Sequence, residues 1–269
     1  MRKIILSAIV CFVFVFACKS QIPYTLTSTD VTITNGIITS TTLTDASGDN
    51  YQPEIIIPKI LDEQRVSGIG ENAFRFYNLI SVTLPPGLTT IEASAFRDNN
   101  LTSVTLPDEL TTIGSSAFRD NSLPNVELPD GLTFIGDFAF QNNRLSHLTL
   151  PPGLTTVKKM AFNVNFITSV DLPVGLTTIE ASAFRDNNLT SVTLPAELIS
   201  IGSSAFRDNS LPNVDLPAEL TFLGDFAFQN NRLTNVTFPP RLTTIKERAF
   251  NVNFLTSVDL PAGLTSIEA

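Results

Sequence analysis

The sequence predicts a mainly β solenoid, a right-handed superhelix of 22-residue coils with parallel sheets and a small N-terminal β cap. Three observations lead to this fold class: a repeated Ala-Phe pair, a repeated Asn and a repeated apolar pattern that ends in Pro, all spaced by 22 residues. A fixed period in this range indicates stacked coils, each of which buries its apolar face only against its neighbours. The phenylalanines of the nine Ala-Phe pairs are Phe74, Phe96, Phe118, Phe140, Phe162, Phe184, Phe206, Phe228 and Phe250.

The regular coil is clearest in residues 101–122, which read LTSVTLPDELTTIGSSAFRDNS. On an extended chain, Val104 and Leu106 point to one face, while Ser103 and Thr105 point to the other. The proline that follows ends the strand because it has no N–H for a ladder. Stacking such coils in register predicts parallel sheets with strands about 4.8 Å apart.

Two rows of side chains have a structural interpretation. The Phe row is expected to form a stacked core. The Asn row carries both donors and acceptors, so it can bond the turn backbone of its own coil and of the next. The members of these two ladders are Phe96, Phe118, Phe140, Phe162, Phe184, Phe206 and Phe228, and Asn99, Asn121, Asn143, Asn165, Asn187, Asn209 and Asn231.

The chain divides into three segments. They are a signal peptide of residues 1–17, an N-terminal β cap and linker of residues 18–53, and about nine repeat coils in residues 54–269. In the cap, Asn35-Gly36 separates two alternating apolar and polar runs, which predicts a hairpin with a type I′ turn. A cap of this kind would cover the apolar side chains and strand edges of the first coil.

The N-terminus has the features of an export signal. Arg2 and Lys3 precede an apolar run of 13 residues, Ile4 to Phe16, which is followed by Ala17-Cys18. The run is too short to span a bilayer comfortably. Small Ala before Cys18 resembles a bacterial lipobox and predicts acylation of that thiol. The alternative is ordinary cleavage nearby, which would give a soluble secreted protein. Beyond Cys18 the chain has no cysteine, so stacking rather than disulfides must stabilise it.

A longer period lies above the coil. Residues 92–179 and 180–267 align with 70 of 88 positions identical, which indicates duplication of a four-coil block. The last residues, Glu268-Ala269, begin another copy. We therefore expect the C-terminus to be truncated, because a bare solenoid end exposes apolar side chains and strand edges.

The repeated stretch LTSVTLPDELTTIGSSAFRDN resembles the BspA-like, Treponema pallidum-type leucine-rich repeat over residues 54–269. The resemblance implies a bacterial cell-surface or secreted protein with its strands on the concave side of a leucine-rich-repeat superhelix. It also implies adhesion or protein binding, a partner that is an extracellular protein or cell-surface ligand, and no enzyme activity or cofactor. Binding residues differ among such relatives, so none is transferred to this chain.

The outward positions of the predicted concave strands are small, polar and mildly acidic. They are the candidate ligand contacts, with a solvated, soluble sheet face as the alternative; ordering of water or ice by a flat Thr array is a distant one. The candidate contacts are Ser103, Thr105, Asn125, Glu127, His147, Thr149, Ser169, Asp171, Ser191, Thr193, Asn213 and Asp215.

Several classes of function find little support. The net charge of −9 argues against nucleic acid, and any membrane contact is expected through the lipid anchor alone. His147 is the only histidine and no cysteine lies near it in the sequence, so we predict no metal site, no cofactor and no catalytic residue. The favoured function is a non-enzymatic extracellular adhesion scaffold. The alternative is a structural spacer that presents a missing C-terminal domain, and an enzyme is a distant third.

Two aromatic residues depart from the repeat. Phe134 and Phe222 occupy positions of the second strand where other coils have Thr or Ser, and they lie 88 residues apart. They could be exposed apolar spots for a partner or part of a wider core. We favour core packing.

Overall fold

The computed structural model describes residues 22–43 and 51–268, which form strands and turns without a helix. The chain winds as a β solenoid of about nine turns. Seven short strands come before the regular coils. They are β1 (Tyr24–Thr25), β2 (Val31–Thr34), β3 (Ile37–Thr41), β4 (Glu54–Ile56), β5 (Ile60–Leu61), β6 (Gln64–Arg65) and β7 (Gly68–Ile69).

Each regular coil contributes up to two strands. The first strands are β8 (Ser81–Thr83), β10 (Ser103–Thr105), β13 (His147–Thr149), β15 (Ser169–Asp171), β18 (Asn213–Asp215) and β20 (Asn235–Thr237). The second strands are β9 (Thr90–Ile91), β11 (Thr112–Ile113), β12 (Phe134–Ile135), β14 (Thr156–Val157), β16 (Thr178–Ile179), β17 (Ser200–Ile201), β19 (Phe222–Leu223), β21 (Thr244–Ile245) and β22 (Ser266–Ile267).

The strands of successive coils pair in parallel and in register. Ser103 lies opposite Ser81, and Thr112 lies opposite Thr90, each at the 22-residue offset of the repeat. Along the second strands the sheet orders are β12-β11-β9-β7-β3-β2, β14-β16-β17-β19 and β21-β22. Along the first strands they are β1-β4-β8-β10, β13-β15 and β18-β20. The first-strand face is therefore more interrupted than the second.

The N-terminal strands cover the start of both faces. β2 and β3 form the predicted antiparallel hairpin, and the turn residues Asn35 and Gly36 have positive φ angles of 52° and 79°, as a type I′ turn requires. β3 then pairs in parallel with β7, while β1 pairs with β4. Each face thus begins at a strand whose partner comes from the cap.

The Ala-Phe turns form a third ladder along the solenoid. In the coil of Phe118, three alternate N–H groups donate to carbonyls of the next coil: Ser116 to Asp137 at 2.8 Å, Phe118 to Ala139 at 2.8 Å and Asp120 to Gln141 at 3.0 Å. Residues on both sides of the Phe have left-handed backbone, as at Ser116 (φ 58°) and Asp120 (φ 56°). Because left-handed residues alternate with the others, every second N–H of the turn points to the next coil and donates to its carbonyls, although the turn is not a β-strand.

The phenylalanines behind these turns stack along the axis. Consecutive rings from Phe74 to Phe250 lie 5.2–5.7 Å apart between centroids, with interplanar angles of 4–13°. Those from Phe74 to Phe228 are fully buried. Burial of each ring stabilises the fold by roughly 1.5–3 kcal/mol, and each aromatic pair adds about 0.5–1.5 kcal/mol.

The Asn row supplies the hydrogen bonds that the buried turns lack. Asn143 accepts from the N–H of Leu123 at 3.1 Å, and its amide nitrogen donates to the carbonyls of Phe118 at 2.8 Å and Phe140 at 3.2 Å. One side chain therefore joins the backbone of two coils. Asn99, Asn121, Asn165, Asn187, Asn209 and Asn231 are buried and make the same three kinds of bond.

We expect Asn143→Ala to lower the free energy of unfolding by about 3 kcal/mol, because it leaves one N–H and two carbonyls without partners in the core. Asn100 is exposed, its backbone is not left-handed, and its side chain bonds only that of Asn78, at 3.4 Å, so Asn100→Ala should change the free energy of unfolding by less than about 0.5 kcal/mol. Urea unfolding of both variants measures the difference. Equal losses would contradict this role of Asn143.

Candidate functional site

The predicted contact residues lie together on the first-strand face. We call this surface the outward strand row. Its side chains are exposed except that of Ser169, which is half-buried, and they alternate with inward residues such as Val126 and Leu148. The row comprises Ser103, Thr105, Asn125, Glu127, His147, Thr149, Ser169, Asp171, Ser191, Thr193, Asn213 and Asp215, in coil order.

The ladder of the outward strand row is interrupted on both sides of residues 125–127. These residues pair with neither β10 nor β13 among the described strands. Pro124 explains one gap: in other coils the residue at this position donates its N–H to the preceding coil, as Thr102 does to Ile80 at 2.9 Å. Proline has no such N–H, so the carbonyl of Thr102 loses this partner. Pro212 has the same place in the duplicate block.

Two clefts open beside the unpaired segment. The larger, about 490 Å³, is lined by Asn125, Glu127, His147 and Thr149 together with the walls of the two coils. The smaller, about 250 Å³, lies on the other side of the segment, between residues 103–106 and 125–127. Glu127 lines both clefts and gives each a carboxylate.

His147 joins a small polar cluster on the row. Its Nδ1 lies 2.8 Å from Ser169 Oγ, and its Nε2 lies 3.7 Å from Asp171 Oδ2. Asp171 also accepts from Thr149 Oγ1 at 3.2 Å. A Ser, a His and an Asp thus meet. However, 3.7 Å is too long for the hydrogen bond that orients a catalytic base.

The solvent exposure of the cluster also differs from that of a typical catalytic site. The side chains of His147 and Asp171 are 57% and 70% exposed. Water therefore solvates both groups, whereas catalytic side chains work in desolvated, preorganised surroundings. The arrangement is suited to hydrogen bonding with a partner at the surface. The sequence had not indicated either this cluster or the clefts.

The row is acidic. Its ionisable side chains are Glu127, Asp171 and Asp215, with His147 as the one basic type. No Lys or Arg occupies any of its twelve positions. A partner with Lys or Arg side chains is therefore favoured by charge complementarity.

The expectation that Phe134 and Phe222 pack into the core is wrong. Both side chains are exposed, by 42% and 44%. In each two-residue strand the next residue, Ile135 or Leu223, is buried. Because strand side chains alternate between faces, the Phe beside a buried residue must point outward.

No helix among residues 22–43 and 51–268 is long and apolar enough to cross a membrane. The same residues contain no group of three or more His, Cys, Asp and Glu side chains placed to hold a metal ion. Cys18, the predicted lipidation site, lies outside the described residues.

A family model for the BspA type leucine-rich repeat region matches six copies in this chain, over residues 67–190 and 177–269. The chain belongs to this family. Proteins of the BspA-type family are in general bacterial surface or secreted proteins. Leucine-rich repeats are generally non-enzymatic scaffolds and commonly bind proteins. A search of curated proteins found no match to the chain.

Two solved structures show the same fold. A leucine-rich repeat protein from Bacteroides ovatus ATCC 8483 is 19% identical, with a TM-score of 0.63 over 92% of this chain and 83% of that chain. YopM from Yersinia enterocolitica WA-314 is 24% identical, with a TM-score of 0.52 over 81% of this chain and 47% of that chain. At these identities the likeness concerns the fold alone.

We expect Pro124→Thr to raise the free energy of unfolding by about 1 kcal/mol, because it gives the Thr102 carbonyl a backbone donor. Amide exchange of residues 125–127 should slow as the smaller cleft closes. Pro152 is an exposed turn residue, so Pro152→Thr is the matched control and should leave that exchange unchanged. Unaltered exchange in the Pro124 variant would show that the proline does not keep the cleft open.

Proposed function

We propose that this protein is an exported, non-enzymatic adhesion scaffold that binds an extracellular protein through the outward strand row. The observation that carries the proposal is the pair of clefts at residues 125–127, where the first-strand ladder of the polar face is interrupted. Clefts of this size accept side chains of a partner, while the flanking row offers repeated hydrogen-bonding groups. Family membership supports a surface or secreted setting.

Repetition compensates for weak individual contacts. The row lacks the Trp, Tyr and Arg that dominate tight interfaces, so each coil contributes little. A partner that engages several coils at once gains through effective concentration without any strong single contact. The carboxylates of Glu127, Asp171 and Asp215 favour a basic partner surface. We therefore expect binding that weakens as ionic strength rises.

The test compares two triple variants with the same change in net charge. In the first, Glu127, Asp171 and Asp215 of the row become Lys. In the second, the exposed turn residues Asp108, Asp130 and Glu197 become Lys. Binding to immobilised collagen, fibronectin and laminin, and to intact cells, is measured by biolayer interferometry and cell-attachment assays.

We expect the row variant to lose at least tenfold in affinity for the bound surface, because like charges would then face each other. The turn variant should bind as the unaltered protein does. Equal losses in both variants would show that net charge rather than this face decides binding. Failure of the unaltered protein to bind any of these surfaces would overturn the adhesion proposal.

We further propose that Cys18 carries the lipid that holds the scaffold at the membrane. The support is the sequence Val15-Phe16-Ala17-Cys18 after a short apolar run. Metabolic labelling with palmitate should mark the unaltered protein and not Cys18→Ala, while Cys11→Ala serves as the control and should remain labelled. Label retained in the Cys18 variant would rule out this anchor.

A further inference from the structure

Two Val–Phe pairs are exposed on the edge of the solenoid that follows the Ala-Phe turns. Val164 and Phe166 are 40% and 55% exposed, and Val252 and Phe254 are 59% and 65% exposed. The pairs lie 88 residues apart, so they occupy the same place in the two four-coil blocks. The coil of Phe74 has a third exposed apolar residue at the Val position, Phe76, which is 58% exposed, with Asn78 at the Phe position. The remaining coils place polar residues at both positions. They are Asp98, Asp120, Asn142, Asp186, Asp208 and Asn230 at the Val position, and Asn100, Ser122, Arg144, Asn188, Ser210 and Arg232 at the Phe position.

The valines sit in an unfavourable backbone conformation. Both have φ of 55°, in the left-handed region that Asn and Asp tolerate and β-branched residues do not. The turn ladder imposes this conformation at Val164, which donates to the Arg185 carbonyl at 3.0 Å just as Asp186 donates to that of Arg207. The Val252 N–H donates instead to the side chain of Asn251 at 2.8 Å. Nothing in the fold requires Val at this position. An exposed, strained apolar residue, present in both blocks, points to a role outside folding.

A free arginine accompanies each pair. Arg144 and Arg232 are exposed, and neither forms an ion pair with a carboxylate among the described residues. Every other arginine of residues 70–268 does so. These paired residues are Arg75, Arg97, Arg119, Arg185, Arg207, Arg241 and Arg248. The chain has a net charge of −9. Two arginines without a carboxylate partner, beside exposed apolar side chains, favour an acidic binding partner.

Each arginine and its Val–Phe pair belong to one surface. Arg144 and Phe166 occupy the same position in consecutive coils, and the Phe166 N–H donates to Leu145, the residue after Arg144, at 2.9 Å. In the second block Arg232, Val252 and Phe254 line a single shallow depression of about 310 Å³. Apolar surface and a guanidinium therefore meet in the same small area.

We propose that the triplets Arg144/Val164/Phe166 and Arg232/Val252/Phe254 are twin docking sites for an extended segment of a partner protein. Each site receives an apolar side chain against the Val and Phe and a neighbouring carboxylate on the Arg. Arg is suited to the carboxylate because its planar donors bind both oxygens. This surface is separate from the outward strand row, and it does not depend on the proposed function of that row.

The spacing of the sites defines the partner. Four coils at about 4.8 Å separate the triplets by roughly 20 Å, a length that an extended chain covers in about six residues at 3.3 Å each. A segment with two apolar-acidic pairs six residues apart would engage both sites at once. Engagement of the second site then becomes intramolecular and raises the affinity.

The test uses fluorescein-labelled ten-residue peptides with Leu-Asp pairs, measured by fluorescence anisotropy against the full chain. The first peptide has two such pairs six residues apart, the second has one pair, and the third has two Leu-Lys pairs. We expect the two-pair acidic peptide to bind at least tenfold more tightly than the single-pair peptide, and the Leu-Lys peptide to bind weakest. Equal binding of all three would overturn the proposal.

The decisive variant is Val164→Asn with Val252→Asn, because Asn occupies this position in other coils and tolerates left-handed backbone. We expect it to lose at least tenfold in affinity for the two-pair peptide while its Tm rises by roughly 2–4 °C. Such a loss cannot come from unfolding. Thr133→Ser with Thr221→Ser, two exposed positions beside the second strands that also lie 88 residues apart, is the control and should bind unchanged. Unchanged binding by the Val variant would overturn the proposal.

In Arg144→Ser with Arg232→Ser, each arginine is replaced by the serine that occupies its position in the preceding coil. This variant should lose the preference for Leu-Asp over Leu-Lys peptides. Two further measurements on the unaltered chain identify other occupants. A concentration-dependent dimer in sedimentation that the Val variant lacks would overturn the proposal in favour of a second copy of this chain. Flotation with vesicles of anionic phospholipid that the Arg variant lacks would overturn it in favour of a membrane surface.

Discussion

The hydrogen bonds of one asparagine per coil are the constraint on which the rest of the structure depends. Each coil must turn sharply beside the buried Phe stack, where backbone groups have no water and no strand partner. An asparagine such as Asn143 satisfies an N–H and carbonyls of two coils at once. Its bond distances set the height and register of the next coil. The Phe rings can then stack at a constant separation, because the backbone that carries them repeats without change.

Because the Phe stack and the Asn hydrogen bonds hold the coils together, the sequence and pairing of the first strands and of the exposed turn positions can vary. The turn ladder, the Phe stack and the Asn bonds continue through the coil of Pro124, although its first strand leaves the sheet. The break therefore opens clefts without disturbing the core. In the same way the turn ladder holds Val164 in a left-handed conformation that the residue would not adopt alone. A lost strand pairing or an unfavourable backbone angle is tolerated where the neighbouring coils determine the geometry, and binding surfaces can form there.

Several features could be predicted because they depend on short-range pattern. The alternation of Val104 with Ser103 and Thr105 gives the inward and outward faces, and Asn35-Gly36 gives the hairpin by its backbone preference. Phe134 points outward although it is hydrophobic, because strand side chains alternate and the next residue, Ile135, is buried. The clefts could not be predicted, since they depend on how far two coils separate when one N–H is missing. The meeting of His147, Ser169 and Asp171 likewise depends on rotamers across coils.

By itself the sequence determined the coil length, the parallel in-register stacking and the identity of the buried ladders, because in a solenoid each residue meets its counterpart one period away. Duplication within the chain made this relation visible as 70 identical positions of 88. The tertiary structure decided which outward side chains are exposed, which arginines find a carboxylate and where the strand ladder opens. These outcomes depend on distances of a few ångströms between coils, which neither the period nor the residue types specify.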